Sequence, residues 1–344
     1  MAEVIRYVNP DSSGGDGTTS ALSGTNAAYA SLSAWNAAEA TDLVSAGDFH
    51  RVICASGGSA DTTAFNVSGW TTGASNYISI EGDANTGVWD TGAYRREITT
   101  ANDMGVQEDY VRISGIQFQI SPTIGGRACL SFNSHSTTCD LRVSKCIFRG
   151  GSGATQAVTG VQLSVANANG YRIENCLFYD MDNAGSVAIN TGQAYGSRAT
   201  KTVEHCTIIN CLVGVEVGTN TTCVNVGYDS QGLGSADGFD TSGGGGAAGS
   251  LNCFSDLTTD ATSLSGSGHG DSTNPTFSDE AGDDFTLASG DTAWKDAGGT
   301  AVNVTDDIVG TTRTGTFDVG FFEVVAASGT TLGGLVGFNT GLIG

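Results

Sequence analysis

The stretch Val111-Arg112-Ile113-Ser114-Gly115-Ile116-Gln117-Phe118 begins a pattern that recurs without gaps every 30 residues. The later copies span residues 141–148, 171–178 and 201–208. Apolar residues recur at the third, sixth and eighth positions of each copy, and polar residues stand on either side of the third. This alternation has the period of a half-buried β-strand and does not fit a helix.

The alternation changes phase once in each copy, at Gly115, Lys145, Asn175 and His205. The apolar positions on either side of that residue are three apart instead of two, which predicts a corner between two short strands. Each repeat also carries another apolar strand. These strands are expected at residues 130–132, 161–163, 187–189 and 215–217. Three short strands per repeat predict a parallel β-helix, whereas a propeller would need longer repeats and hairpin turns.

Distinct segments flank the repeat. Before it come Tyr7-Val8-Asn9-Pro10, a glycine loop at 14–17 and a helix-forming stretch at 30–38. After it, a closing sequence runs from Asn274-Pro275-Thr276-Phe277 to residues 313–323. With these features, most of the chain resembles the right-handed parallel β-helix superfamily, the pectate-lyase-like fold, of the type found in bacteriophage structural and tailspike proteins. The resemblance implies an all-β, single-stranded right-handed parallel β-helix with an N-terminal capping helix and an extended C-terminal tail.

The predicted organisation has three parts. They are an N-terminal strand, glycine loop and capping helix at 1–50, a β-helix at 51–325 with an exposed Gly-rich loop at 229–250, and an assembly or attachment tail at 326–344. Ser31 or Ser33 is expected to cap the helix, and Leu32 with Trp35 is expected to close the open end of the core.

The charge of the chain excludes some partners. It has 14 Lys and Arg residues against 36 Asp and Glu residues, and a net charge of −22. Such a surface repels nucleic acid and anionic membranes. No run of 18 apolar residues could span a bilayer. The first residues also lack the basic and apolar regions of a secretory signal, so we expect synthesis in the host cytoplasm and a final location in a virion.

The nine cysteines contain no C-x-x-C pair, which argues against a disulfide framework or a zinc site. Cys146, Cys176 and Cys206 fall in one interior column, where stacked sulfurs would also suit a metal or redox site. A row of small apolar fillers with free thiols is favoured, since no histidine column accompanies them.

No cofactor is predicted, and calcium is the one ion left open. Acidic residues cluster at Asp279, Glu280, Asp283 and Asp284. They lack the alternating spacing of a calcium loop, so a solvated turn is favoured.

Cationic residues concentrate on one predicted outward column, at Arg112, Arg142 and Arg172, with Lys145 at the adjacent corner. Similar β-helix polysaccharide lyases use an Arg or Lys to take a proton beside a sugar carboxylate, and acidic side chains to hold calcium. The favoured alternative is that Glu174, Glu204 and Asp140 neutralise the row, or that a second subunit does.

Glu174 and Glu204 are expected to face outward on neighbouring coils, at a separation that suits a retaining glycosidase. Solvated carboxylates are the favoured alternative. If the protein is an enzyme, the predicted catalytic residues are Arg142, Arg172, Lys145, Glu174 and Glu204. Ile147 and Leu177 also take outward positions and form an apolar stripe that a partner or one of the chain's own loops would cover.

Three functions follow from these observations. A structural virion protein, either a capsid decoration or a tail appendage, is favoured. The alternatives are a polysaccharide lyase or glycoside hydrolase, such as a tailspike depolymerase, and a non-catalytic module that binds a surface glycan. The favoured function predicts a homo-oligomer, with a trimer as its expected form, attached to other virion proteins through apolar tail residues. These are Leu332, Leu335, Val336, Phe338, Leu342 and Ile343.

Overall fold

A computed structural model describes most of the chain. The described residues are 2–55, 57–83, 86–99, 103–121, 123–133, 138–151, 156–163, 169–192, 200–242, 249–299 and 304–324. Three long, all-parallel sheets account for most of the regular structure, and helices are few. This is the architecture of a parallel β-helix, so the all-β class predicted from the repeat is confirmed.

Each coil from Ile78 to Asp240 contributes one strand to each sheet. In the described residues, sheet A consists of Ala2–Val8, Asp48–Cys54, Ile78–Gly82, Tyr110–Ser114, Thr138–Ser144, Asn169–Glu174, Lys201–Glu204, Thr221–Val224, Ser250–Leu251 and Gly266–Ser267. Sheet B consists of Arg95–Ile98, Gln117–Ile120, Ile147–Arg149, Leu177–Met181, Thr207–Cys211, Gly227–Asp229 and Phe254–Ser255. Sheet C consists of Phe65–Val67, Met104–Val106, Arg127–Phe132, Val158–Leu163, Val187–Asn190, Val213–Glu216 and Asp237–Asp240.

The 30-residue spacing of the sequence is the register of the stack. In sheet A, Ile113 pairs with Val143, Val143 with Ile173, and Ile173 with Val203. All four side chains are buried in the interior core. Because like residues stack at the spacing of neighbouring strands, about 4.8 Å, the coil interior is built from columns and not from isolated contacts.

One interior column of sheet B is a stack of phenylalanine rings. The centroids of Phe118 and Phe148 are 4.8 Å apart and those of Phe148 and Phe178 are 4.6 Å apart, with the rings within 4° of parallel. The cysteine column lies beside it. Cys146 and Cys176 are buried, and all nine cysteines are free, as the sequence predicted.

The N-terminal part contains two short helices. The first spans Leu32–Glu39 and begins at Ser31, whose side chain accepts a hydrogen bond from the Ala34 backbone N–H at 3.1 Å. Ser31 is therefore the capping residue, and not Ser33. Leu32 and Trp35 are buried in the interior core. The second helix spans Leu43–Ala46. That these residues close the end of the coil stays a prediction.

The prediction of an exposed loop at 229–250 is wrong in the middle of that range. Residues Asp237–Asp240 form a strand that pairs with Val213–Glu216 of sheet C. Phe239 is buried there. Residues 243–248 lie outside the described residues.

After the last coil, the chain turns back along the outside of the β-helix. We call residues 274–299 and 304–324 the closing segment. It contains an antiparallel pair of strands, Phe277–Asp279 and Asp284–Leu287, joined by the 3₁₀ turn Glu280–Gly282. An earlier 3₁₀ turn spans Ala261–Ser263. The tail at 326–344, with all six predicted attachment residues, lies outside the described residues.

A second hydrophobic core lies between the outer face of sheet B and the closing segment. Sheet B contributes Ile147, Leu177, Tyr179 and Ile209. The closing segment contributes Phe277, Phe285, Leu287, Trp294, Ile308, Val319 and Phe321. The outward apolar stripe predicted at Ile147 and Leu177 is thus covered by the chain itself. The covered stripe therefore does not support the binding of a second subunit to this face.

Candidate functional site

The corner between sheets A and B is left-handed in coil after coil. We call its residues the corner column. They are Gly115, Lys145, Asn175, His205, Asn225 and Asn252, with φ between 50° and 63°. Glycine adopts this conformation freely, and asparagine and histidine adopt it more readily than most other residues, whereas a lysine there costs about 1 kcal/mol. The corner that the sequence predicted at the first four positions is confirmed.

Side chains of the corner column hold the closing segment. The Asn175 amide Nδ2 donates to the Asp306 carbonyl at 2.7 Å, and its Oδ1 accepts from Arg313 Nη2 at 3.1 Å. One coil earlier, Lys145 Nζ donates to Asp306 Oδ2 at 2.6 Å. The carboxamide of Asn175 therefore forms hydrogen bonds with both a carbonyl and a guanidinium of the closing segment.

Further along the column, Asn225 pairs with the backbone as a strand would. Its Nδ2 donates to the Gly299 carbonyl and its Oδ1 accepts from the Gly299 N–H, both at 2.8 Å. The Gly320 N–H donates to the Asn225 carbonyl at 2.9 Å. Next to this corner, the Phe321 N–H donates to Thr207 Oγ1 at 3.1 Å. The closing segment is thus bonded to several successive coils.

Arg313 is the buried charge in this contact. Its side chain is fully enclosed and its Nη1 lies 3.0 Å from Glu323 Oε2. Burial lowers the pKa of Arg313 and raises the pKa of Glu323. The Glu323 carboxylate also accepts from the Asp318 N–H at 3.0 Å. Removing one partner of such a pair would leave an uncompensated buried charge, at a cost of about 3–5 kcal/mol.

His205 occupies a fully enclosed corner position. Its Nε2 lies 3.1 Å from Asn225 Nδ2, so this nitrogen accepts the bond and the proton is assigned to Nδ1. Its ring is 5.8 Å from that of Phe317. Burial, followed by the positive charge of Arg313, lowers the pKa of His205 to about 2. The imidazole is therefore neutral at physiological pH.

Two arginines of the predicted column, Arg112 and Arg142, are neutralised within their own face. Asp140 accepts from Arg142 Nε at 2.7 Å and from Arg112 Nη2 at 3.1 Å. Burial opposes ionisation of Asp140, but the bonds from the two arginines hold its pKa below the ordinary value. Arg112 also lies over the ring of Tyr77, 3.8 Å from its centroid. Asp140, one of the predicted neutralising residues, performs this role.

The other predicted catalytic residues have separate environments. Lys145 is engaged by Asp306, whereas Arg172 has no carboxylate at ion-pair distance in the described part of the chain. Burial and then the charge of Glu204 raise the pKa of Glu174. Glu204 is only 3% exposed, so the prediction that it faces solvent is wrong. Its neighbour His205 is packed under the closing segment, which encloses this corner.

The predicted acidic turn borders a cavity of about 310 Å³ lined by Asp180, Glu280 and Asp283. Arg149 lies 3.4 Å from Asp283 and 3.9 Å from Asp180, so a guanidinium already stands between two of these carboxylates. Among the described residues, no group of three His, Cys, Asp or Glu side chains is arranged to hold a metal ion. Asp279 instead caps its own 3₁₀ turn.

Sequence reasoning missed two buried cations. Arg96 Nη1 lies 2.8 Å from Asp61 Oδ1, and both side chains are fully enclosed. The other oxygen of Asp61 accepts from the Leu32 N–H and from Tyr94, which ties the first helix to the coil. The alternation Tyr94, Arg96, Ile98 was a usable signal, because it places Arg96 on the core face.

Lys201 is the second buried cation. It stands in the interior column of Val111, Leu141 and Tyr171. Its Nζ donates to the Thr191 carbonyl at 2.9 Å, and burial lowers its pKa to about 8.

Comparisons of the chain with protein-family models, curated proteins and solved structures found no match. The parallel β-helix architecture therefore rests on the strand pairing itself. No helix of the described residues is long and apolar enough to cross a membrane.

The bonds of Asn175 to the closing segment predict a large effect of Asn175→Ala. The variant loses both bonds, leaves the buried Arg313 with one acceptor fewer, and places alanine in a left-handed conformation. We expect a loss of about 3 kcal/mol in the free energy of unfolding. Asn210→Ala is the matched control, because Asn210 has a φ of 49° and its side chain bonds to Asp180 and not to the described part of the closing segment. It should lose about 1 kcal/mol. If both variants lost the same free energy of unfolding in equilibrium denaturation, the bonds of Asn175 to the closing segment would contribute nothing to stability.

The buried imidazole predicts acid lability. The unfolded chain takes up a proton on His205 near pH 6.5, whereas the folded chain resists it down to about pH 2. Stability from this group is therefore lost as pH falls below 6.5, at about 1.4 kcal/mol per pH unit. His205→Asn should lessen the fall in unfolding free energy between pH 7 and pH 5 by about 2 kcal/mol. Lys145→Asn, at the same corner, should leave that fall unchanged. An unaltered pH slope in His205→Asn would contradict the assignment.

Proposed function

We propose that the protein is a non-catalytic structural component of a bacteriophage particle, either a capsid decoration or a tail appendage. The observation that carries the proposal is that three of the five predicted catalytic side chains are already paired or buried. Arg142 is paired with Asp140, Lys145 is paired with Asp306, and Glu204 is enclosed.

The closing segment supports a scaffold role. In a parallel β-helix each coil contacts only its neighbours, so a coil can separate locally. The closing segment bonds to the coils of Lys145, Asn175, Thr207 and Asn225. A strap across several coils couples them and opposes local separation, which is the property that a rigid particle component requires.

The tail at 326–344 is the proposed attachment element. The covered stripe at Ile147 and Leu177 removes one reason to expect a second subunit, so the proposed homo-oligomer, a trimer in its expected form, depends on the tail and on the ends of the coil. The strongly acidic surface keeps neighbouring copies apart unless a specific contact joins them. Other virion proteins are the proposed partners.

The test is an inventory of particles by mass spectrometry, made on purified phage that encodes the full chain and on phage that encodes a chain lacking 326–344. We expect the full chain to be present in the particle. The shortened chain should retain its β-sheet circular dichroism and melting temperature and be missing from the particle. Absence of the full chain from intact particles would overturn the proposal, and incorporation of the shortened chain would refute the role of the tail.

A polysaccharide lyase or glycosidase is the second candidate, favoured by Arg172 and Glu174. Arg172 has no ion pair in the described part of the chain, and the raised pKa of Glu174 is a property of general acids. A third possibility, a non-catalytic module for a surface glycan, would use the same face without cleavage.

The structural proposal predicts that acidic polysaccharides incubated with the protein release no unsaturated ends, measured by ultraviolet absorbance, and no new reducing ends. Release that Arg172→Ala abolishes and Arg142→Lys retains would establish catalysis instead. Binding of the polysaccharide without release would favour the glycan-binding module.

A further inference from the structure

The outer face of sheet C carries a notch in a row of polar side chains. Asn66, Gly105 and Ser131 are paired in register on three neighbouring strands. Gly105 is buried and has no side chain to fill its place between them. A Cβ built there would lie 2.2 Å from Asn66 Oδ1 and 3.8 Å from Asn133 Nδ2. The Asn66 amide thus lies over Gly105 in the space that a side chain would take, and the amides of Asn66 and Asn133 both line a cavity of about 290 Å³.

A fixed carboxylate and a guanidinium also line this cavity. Asp103 Oδ1 accepts from the Ala128 N–H at 3.2 Å, and its Oδ2 accepts from Ser131 Oγ at 3.1 Å. Arg127 lines the same cavity. Burial raises the pKa of Asp103, while its bonds and the charge of Arg127 oppose the rise. The carboxylate is thus held in position, and its remaining lone pairs are available to accept hydrogen bonds.

Arg127 differs from most arginines of the protein because no carboxylate lies at ion-pair distance from it in the described part of the chain. Eight arginines there do have such a partner. They are Arg6, Arg51, Arg95, Arg96, Arg112, Arg142, Arg149 and Arg313. In a chain with a net charge of −22, an unpaired guanidinium in a concave polar site favours an anionic ligand group, to which arginine binds in bidentate geometry.

We propose that the notch formed by Asn66, Asp103, Gly105, Arg127 and Asn133 binds a small polyhydroxylated carboxylate. The ligand's carboxylate pairs with Arg127. Its hydroxyl groups donate to Asp103 and exchange hydrogen bonds with the two asparagine amides. The cavity is at the small end of the range for ligand sites, so the ligand is about the size of a single sugar.

The charges of the notch discriminate among ligands. A neutral polyol leaves the guanidinium without a counter-ion. A free phosphate places its second negative charge near the fixed carboxylate of Asp103, which repels it. A ligand whose hydroxyl groups are separated from its carboxylate matches both ends of the site, because the carboxylate faces Arg127 and the hydroxyl groups face Asp103.

The test is isothermal titration of the full chain with gluconate and with sorbitol, its neutral counterpart of the same carbon number. We expect saturable binding of gluconate and at least about tenfold weaker binding of sorbitol, since a charge-assisted pair contributes over 1.4 kcal/mol. Methyl glucuronide identifies the source of the ligand: binding of the glycoside shows that the site accepts a sugar acid within a chain, and binding of gluconate alone shows a preference for the free acid. No binding of either, or equal affinity for sorbitol, would overturn the proposal.

Two variants tie binding to the notch. Arg127→Gln should reduce gluconate affinity to the sorbitol level, whereas Arg172→Gln, at an arginine that also lacks an ion pair in the described residues, should leave it unchanged. Gly105→Val fills the notch and should abolish binding of both compounds. Gly105 does not have a positive φ, and the Asn66 side chain that must move is exposed, so this variant should fold, as its melting temperature would check. Retained binding in Gly105→Val would place the ligand elsewhere.

Discussion

The left-handed corner between sheets A and B is the constraint on which the rest of the structure depends. Each coil must turn there within one residue, and a positive φ selects glycine or asparagine over β-branched residues. Because the coils stack in register, the side chains that meet this backbone requirement also fall in one line along the outside of the coil. Asn175 and Asn225 then present amide donors and acceptors at regular spacing, and the closing segment uses them as a strand would use its neighbour. A backbone requirement inside each coil thus creates a docking surface along the whole body.

The closing segment buries the outer face of sheet B and so forms the second hydrophobic core. Its aromatic side chains cover Ile147 and Leu177, and the gain from burying this apolar area requires that nearby polar groups be enclosed as well. Arg313 is satisfied by Glu323 and Asn175, and His205 is held neutral. Burial and the charge of Glu204 raise the pKa of Glu174. Acid therefore has opposite effects on the contact surface and on these carboxylates. Protonation of His205 in acid weakens the contact, while protonation of Glu174 removes a repulsion with Glu204.

Much of the interior could be predicted from the sequence because it is periodic. The columns of Ile113, Phe118 and Cys146 and the corner at Asn175 follow from residue types that recur at a constant spacing. Contacts between the repeat and the closing segment could not be predicted, because Asn175 and Asp306 are far apart in sequence and the closing segment has no period. Glu204 was misassigned because its alternation places it outside the coil, whereas its side chain is buried in the folded chain. The strand at Asp237–Asp240 was missed because surrounding glycines conceal its single large apolar residue, Phe239. Arg96 and Lys201 show a signal that was available, since each interrupts an otherwise apolar interior column.

The distribution of satisfied and unsatisfied groups indicates which face remains for external contacts. On sheet B, the closing segment has occupied the apolar stripe and the corner amides. On sheet A, Asp140 bridges two arginines, and Tyr77 covers one of them. Sheet C differs, because its polar row is interrupted at Gly105, where an arginine and two amides face a cavity instead of a protein partner. Arg172 on sheet A also lacks an ion pair in the described residues, but it lines no comparable cavity there. The ligand site that we propose therefore lies at Gly105 on sheet C, independently of any contact made through the C-terminal tail.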